Sequence, residues 1–203
     1  MELKYFSSKD LKNLPLTKKI KKVLLINPKR KDVRFTFPHN GLASLGTLLK
    51  KRGHEVLIID YAFSFEDQKR DIAFFIDSFK PNVIGMSIYT PNAYEADRML
   101  SRIHELFQKI PLMIGGPHAT LYFDLFIKDK RIDYIFRGEA ELTIIPVVEN
   151  AKKEEIPQIV GSKEIVDLND LPFPDFKIFH RWNLMTNYPI MTSRGCPFQC
   201  SFC

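Results

Sequence analysis

Between residues 23 and 152, short apolar runs alternate with segments of helical periodicity, and that alternation admits few folds. Residues 23–27 (VLLIN) are a continuous apolar run ending in Asn-Pro, which reads as a buried parallel strand and its exit. Leu42, Leu45, Leu48 and Leu49 then share one helical face, with Gly53 as a C-terminal stop. Residues 55–60 (EVLIID) are the second strand. Ile72, Phe75, Ile76 and Phe79 recur at helical spacing, and Pro81 ends that helix. Residues 83–89 (VIGMSIY) are the third strand, and Met99, Leu100, Ile103, Leu106 and Phe107 stripe the next helix. Residues 111–115 (PLMIG) make a short fourth strand, followed by a weak helix around 120–128. Residues 134–137 are the fifth strand, and a last helix runs from about 142 to 152, where Pro146 is tolerable only near the first turn. Strands and helices in strict alternation predict a five-stranded parallel sheet flanked by helices on both faces.

Ligands of such sheets bind beyond the carboxyl ends of the strands. The residues least suited to a core fall at those ends: the loop 27–40, the stretch 87–92, Gly115-Gly116-Pro117-His118 and Arg137-Gly138-Glu139. Four of the five post-strand loops are therefore chemically unusual on one rim.

From residue 156 to 187 periodicity is lost. Residues 168–176 (LNDLPFPDF) carry two prolines in three residues and read as a linker laid over a surface. Residues 188–192 (YPIMT) are strand-like again and feed into Cys196-Pro-Phe-Gln-Cys200-Ser-Phe-Cys203, which holds every cysteine of the chain in the spacing C-x3-C-x2-C. Three soft ligands so close suit an iron–sulfur cluster or zinc. A structural zinc wants four ligands, no fourth cysteine exists, and His180 lies too far upstream for a compact finger. Three thiolates on a four-iron cluster would leave one iron open.

The implied organisation is a basic extension over 1–22, a sheet domain over 23–155, a linker over 156–187 and the start of a second domain over 188–203. No apolar run is long enough to span a membrane and the N-terminus lacks a secretory signal, so a cytoplasmic location is expected. The formal net charge is +6, with much of the excess at 18–22 and 29–34. The first run reads as a solvated tail; the second lies in a post-strand loop and reads either as a solvated loop or as one that attracts a phosphate-bearing ligand, and nucleic acid is not the expected partner.

Ser193-Arg194-Gly195-Cys196-Pro197 with Cys200 and Cys203 closely resembles the start of the barrel in radical S-adenosylmethionine (radical SAM) enzymes. The opening VLLINP strand, Gly115-Gly116-Pro117-His118-Ala119, Arg137-Gly138-Glu139-Ala140-Glu141 and Leu171-Pro172-Phe173-Pro174 resemble the cobalamin-binding domain that precedes that barrel in one subgroup. The resemblance covers nearly all of the chain after residue 22. It implies a Rossmann- or flavodoxin-like cobalamin-binding domain, a linker, and the first strand and cluster loop of an incomplete TIM-like barrel.

It further implies that Cys196, Cys200 and Cys203 hold a 4Fe-4S cluster whose open iron takes S-adenosylmethionine for reductive cleavage. Methyl transfer or related radical chemistry through cobalamin would follow, with a low-potential electron donor such as flavodoxin or ferredoxin. Carried onto this chain, the cobalamin contacts are Ser87, Thr90, Gly115, Gly116, His118 and Glu139. Glu139 and Glu141 are also expected at a helix N-terminus, stabilising its dipole. Many such domains carry Asp-x-His-x-x-Gly after the first strand. Here the loop reads Asn27-Pro28-Lys29-Arg30-Lys31-Asp32, and its only histidine, His39, has no Asp two residues before it. A lower face of cobalt without histidine is the expectation.

The barrel beyond the third cysteine is not in this sequence, so catalytic competence of this chain alone is not expected. The alternative is a non-catalytic module that carries a corrinoid or docks on a partner. A tRNA-modifying radical SAM enzyme is disfavoured, because its methylthio-transferring kind carries three further cysteines in the amino-terminal domain and residues 1–190 here contain none.

Overall fold

The computed structural model describes residues 5–6, 13, 19–30, 37–63, 69–162, 164 and 167–201. In chain order the elements are β1 (Tyr5–Phe6), β2 (Lys22–Asn27), α1 (Asn40–Lys51), β3 (Glu55–Asp60), α2 (Ile72–Phe79), β4 (Val83–Ser87), α3 (Ala93–Leu106), β5 (Leu112–Gly115), α4 (Pro117–Leu121), β6 (Tyr134–Arg137), α5 (Ile144–Asn150) and β7 (Gln158–Gly161). Short 3-10 turns follow at Leu168–Asp170, Phe176–Ile178 and Trp182–Leu184.

The strands form one seven-stranded sheet in the order β1-β7-β6-β5-β4-β2-β3, and every pairing is parallel. Alternating side chains of β2 serve the two faces. Val23 and Leu25 pack with Leu42 and Leu49 of α1 and Val147 and Val148 of α5. Leu24 and Ile26 pack with Phe75 and Ile76 of α2 and Leu100 and Ile103 of α3. A strand buried on both faces has no polar alternation, which is why β2 reads as an unbroken apolar run. Pro146 is the third residue of α5, inside its first turn, where its missing N–H has no intrahelical acceptor to lose.

The sheet is wider than the five strands expected. β7 pairs with β6 from Tyr134↔Gln158 to Arg137↔Gly161, so the domain continues past residue 155. Four residues after Pro157 are too few to show a period, and only the neighbouring strand makes them a strand. The segment behind β7 is laid on the domain as a strap. Asp175 N–H donates to Thr47 Oγ1 at 2.7 Å, His180 N–H donates to Ile58 O at 2.8 Å, and Ile178, Phe179 and Met185 are buried in the α1–α5 face. Residues 188–192, expected as a strand, join no sheet among the described residues; a strand exists only through its partner, and no neighbour pairs there. The weak helix expected over 120–128 is displaced to α4 and a 3-10 turn at Phe123–Leu125, because Pro117 is preset for a first helical position. No described helix is long and apolar enough to cross a membrane.

Candidate functional site

β2 lies between β3 and β4, so the chain leaves it to one side through α1 and returns to the other through α2. The connections diverge there and open a crevice beyond the carboxyl ends of β2 and β4. A cavity of about 750 Å³ occupies that place, within the usual range for small-molecule sites. Its floor is apolar: Leu25, Gly85, Met113 and Phe136 from the sheet, with Leu42, Leu45 and Ile144 from α1 and α5. Its rim is polar: Asn27, Arg30, His39, Asn40, Ser87, Tyr89, Glu139, Glu141 and Arg194.

One buried carboxylate organises the β2–β3 side of the rim. Asp60 ends β3 and accepts from Asn27 Nδ2 at 2.8 Å, His39 N–H at 2.9 Å, Ala62 N–H at 3.0 Å and Phe63 N–H at 3.2 Å. It thus ties the loops after β2 and β3 to the start of α1. Burial nevertheless outweighs these donors and pushes its pKa up to about 6.

His39 is the N-cap of α1, its Nδ1 accepting from Leu42 N–H at 3.1 Å. Burial lowers its pKa to about 4, so the ring is neutral at neutral pH. With Nδ1 an acceptor, the proton sits on Nε2, which donates to Ser87 Oγ at 2.9 Å. Neither nitrogen therefore offers a lone pair to the cavity.

Ser87, Gly115, Gly116 and Glu139, read from the sequence as contacts, all line the cavity. Gly116 has φ +94°, and a Cβ there would lie 2.8 Å from Ile88 O and 2.9 Å from Ser87 Oγ, so only glycine lets the β5 loop close on the end of β4. Thr90 and His118 lie outside the cavity wall. They bond each other, Oγ1 to Nδ1 at 3.1 Å, and the imidazole rests on Tyr122 and Phe126. The turn at Gly116 and the start of α4 at Pro117 carry His118 away from the mouth.

Glu139 and Glu141 precede α5 and do not sit in its first turn. Both carboxylates instead bind Nη1 of Arg194, Glu141 at 2.6 Å. The guanidinium is a stronger and nearer positive charge than a helix terminus. Partial burial and then Glu141 push the pKa of Glu139 up, against the pull of Arg194. Cys196 and Cys200 are exposed free thiols, and Cys203 lies outside the described residues. Among the described residues no group of three His, Cys, Asp or Glu is arranged to hold a metal.

Two polar atoms on the cavity lining are buried and find no partner among the described residues: Arg30 Nε, a donor, and Asn40 Oδ1, an acceptor. Such atoms are costly unless a ligand or water satisfies them. The sequence pointed to the loop that bears them but to neither atom. The roles of Asp60, His39 and Arg194 also became visible only in three dimensions, although Asp60 is a charge closing an apolar run.

A parallel sheet with an amphiphilic cavity at its switch point defines a ligand-binding α/β domain. Residues 30–148 match the family model for the B12 binding domain, and the chain belongs to that family. It is 30% identical over 91% of its length to an uncharacterized methyltransferase of Pyrococcus horikoshii, covering 45% of that protein. Similar matches are the anaerobic magnesium-protoporphyrin IX monomethyl ester cyclase of Rubrivivax gelatinosus (28% identity, 90% of this chain, 38% of that one) and the cytidylyl-2-hydroxyethylphosphonate methyltransferase of Streptomyces wedmorensis (26%, 93%, 48%). The chain thus spans less than half the length of these curated relatives.

Two solved structures share the fold. One is the cobalamin-dependent S-adenosylmethionine radical enzyme OxsB with aqua-cobalamin and S-adenosylmethionine bound (TM-score 0.57, 17% identity, 77% of this chain, 24% of that one). The other is the radical S-adenosylmethionine methyltransferase TsrM of Kitasatospora setae, with tryptophan substrate and a SAM analog bound (TM-score 0.53, 22% identity, 66% and 28%).

Proposed function

We propose that the cavity binds the corrinoid of cobalamin and that this chain is the corrinoid-binding part of a radical SAM enzyme. The observation that carries the reading is the cavity itself: an apolar floor with a polar rim on which two buried atoms lack a partner, at the switch point of a B12-binding domain. A broad, apolar macrocycle edged with amides matches that pattern. Leu25, Met113 and Phe136 would support its face, while Arg30 Nε and Asn40 Oδ1 would meet peripheral carbonyl and amide groups. Gly115 and Gly116 keep the β5 edge low enough for close approach. Glu139 would accept from an amide at the opposite rim. Thr90 and His118 would meet only a part of the ligand projecting past β4 and β5. Since both nitrogens of His39 are engaged, the lower face of cobalt would carry no histidine from this chain.

Cys196, Cys200 and Cys203 would hold a 4Fe-4S cluster, the soft thiolate set that such clusters take. The cluster supplies one-electron reduction of S-adenosylmethionine and the corrinoid a methyl-carrying centre, with electrons from a low-potential donor such as flavodoxin or ferredoxin. The protein's own contribution is to position both and to exclude water. The chain alone is proposed to lack the substrate site, in line with the share of its relatives that it spans.

Spectral titration with hydroxocobalamin tests the reading. Saturable binding with a shifted visible spectrum is expected; no binding at millimolar corrinoid would leave only a docking module. Anaerobic reconstitution with iron and sulfide tests the cysteine loop separately.

A further inference from the structure

The segment leading into the cysteines crosses the rim of the cavity and is held there at one point. Met191, Ser193, Arg194 and Gly195 line the cavity. Among the described residues, 189–201 make no hydrogen bond or ion pair except those of Arg194. Its guanidinium takes both Glu141, whose side chain is only 7% exposed, and Glu139, which is 57% exposed. Without Arg194 the inner carboxylate would be buried beside a like charge with no cation, so contact with the loop is favoured by what it relieves. Gly195 follows with φ +82° and open space around it, which turns the chain off the rim one residue before Cys196.

We propose that Arg194 is a positioning residue and a latch: its ion pairs to Glu139 and Glu141 seat the cysteine-bearing loop on the cavity rim, and their opening frees the mouth for ligand exchange. The ligand in question rests on the corrinoid reading above, whereas the latch requires none. Opening removes about fivefold per contact, the upper end for partly exposed ion pairs.

Limited trypsin digestion reads the latch directly, because an engaged Arg194 protects the bond to Gly195. In the Glu139→Gln/Glu141→Gln variant Arg194 remains a tryptic site, and its cleavage should accelerate about twenty-five-fold, fivefold for each of the two contacts. Wild type should approach that rate in molar salt, corrected with a free peptide spanning 190–199. Arg194→Lys, still a tryptic site but with a single point of contact, should fall between. A double variant cut at the wild-type rate overturns the latch. Should that variant fail to fold, Glu139→Gln alone, on an exposed side chain, should still show about a fivefold rise, and an unchanged rate has the same consequence.

Stopped-flow binding of hydroxocobalamin reads the gating. Association and dissociation should accelerate together in the Arg194→Gln variant, which opens the latch and leaves the proposed contacts of Glu139, Arg30 and Asn40 in place. Unchanged rate constants overturn the gate. A wild-type chain that takes up no hydroxocobalamin overturns the corrinoid reading instead, and the cleavage rates still decide the latch.

Discussion

Nε2 of His39 lies 2.9 Å from Oγ of Ser87, joining the N-cap of α1 to the end of β4 along the rim of the cavity. Because Nδ1 is already taken by Leu42 N–H, this contact consumes the remaining nitrogen. The one histidine on the wall is therefore a structural brace.

A brace and a cobalt ligand respond differently to substitution. His39→Asn keeps an N-cap acceptor and should bind hydroxocobalamin with an unaltered visible spectrum. His39→Ala should lose about 1 kcal/mol of stability through the missing cap, again without a spectral change. A shift of the cobalt absorption bands in either variant would show that His39 coordinates the metal.

His39 and Asp60 make opposing contributions to stability against pH. Burial holds His39 down at about 4, while an unfolded imidazole titrates near 6.5. Between those values the unfolded chain carries the extra proton, so acidification removes up to about 3 kcal/mol. Burial holds Asp60 up at about 6 against 3.8 unfolded. Over that interval the folded chain carries the extra proton, so acidification adds up to about 3 kcal/mol. The two slopes nearly cancel between pH 4 and 6. Urea unfolding from pH 7 to 4 should show His39→Asn gaining on wild type and Asp60→Asn losing ground. Profiles parallel to wild type for both variants would remove this account.

What the sequence disclosed and what it withheld follow one physical division. The strand cores at 22–27, 55–60, 83–87, 112–115 and 134–137 were legible because burial on both faces demands unbroken apolar runs. The rim was legible because loops at strand ends carry what cores cannot. Pairings between distant residues were not: Arg194 meets Glu139 across 55 positions, and β7 is a strand only because β6 lies beside it. His118 belonged to a motif legible in the sequence, but the turn at Gly116 takes it behind the wall, where it bonds Thr90.

Gly116 offers a sharp contrast with Gly195. An alanine at 116 would combine a strained φ with a Cβ 2.8 Å from Ile88 O, whereas at 195 the same change meets nothing within 4 Å. Gly116→Ala should lose about 3 kcal/mol or more and distort the Ser87 edge, while Gly195→Ala should lose about 1. Chemical denaturation of both variants measures the difference, and equal losses would mean that the clash at the β5 turn is relieved by movement.

The strap makes the domain longer than its sequence pattern. Ile178 is 6% exposed and its Cδ1 would lie 2.5 Å from a Cβ placed on Gly46, so it fills the hollow that this glycine leaves on α1. Truncating it to alanine should lose about 2–4 kcal/mol, the range for a buried isoleucine whose site collapses incompletely. Lys50→Ala, which breaks only the partly exposed pair to Asp175 at 2.7 Å, should lose no more than about 1. Ending the chain before residue 167 removes Ile178, Phe179 and Met185 together and should destabilise the sheet domain by more than Ile178→Ala alone. If urea midpoints were the same with and without residues 167–187, the strap would be a passive linker after all. A large loss instead means that the chain leading to the cysteine loop is anchored on α1 by Ile178. The cysteines then sit at the end of a short tether of fixed origin.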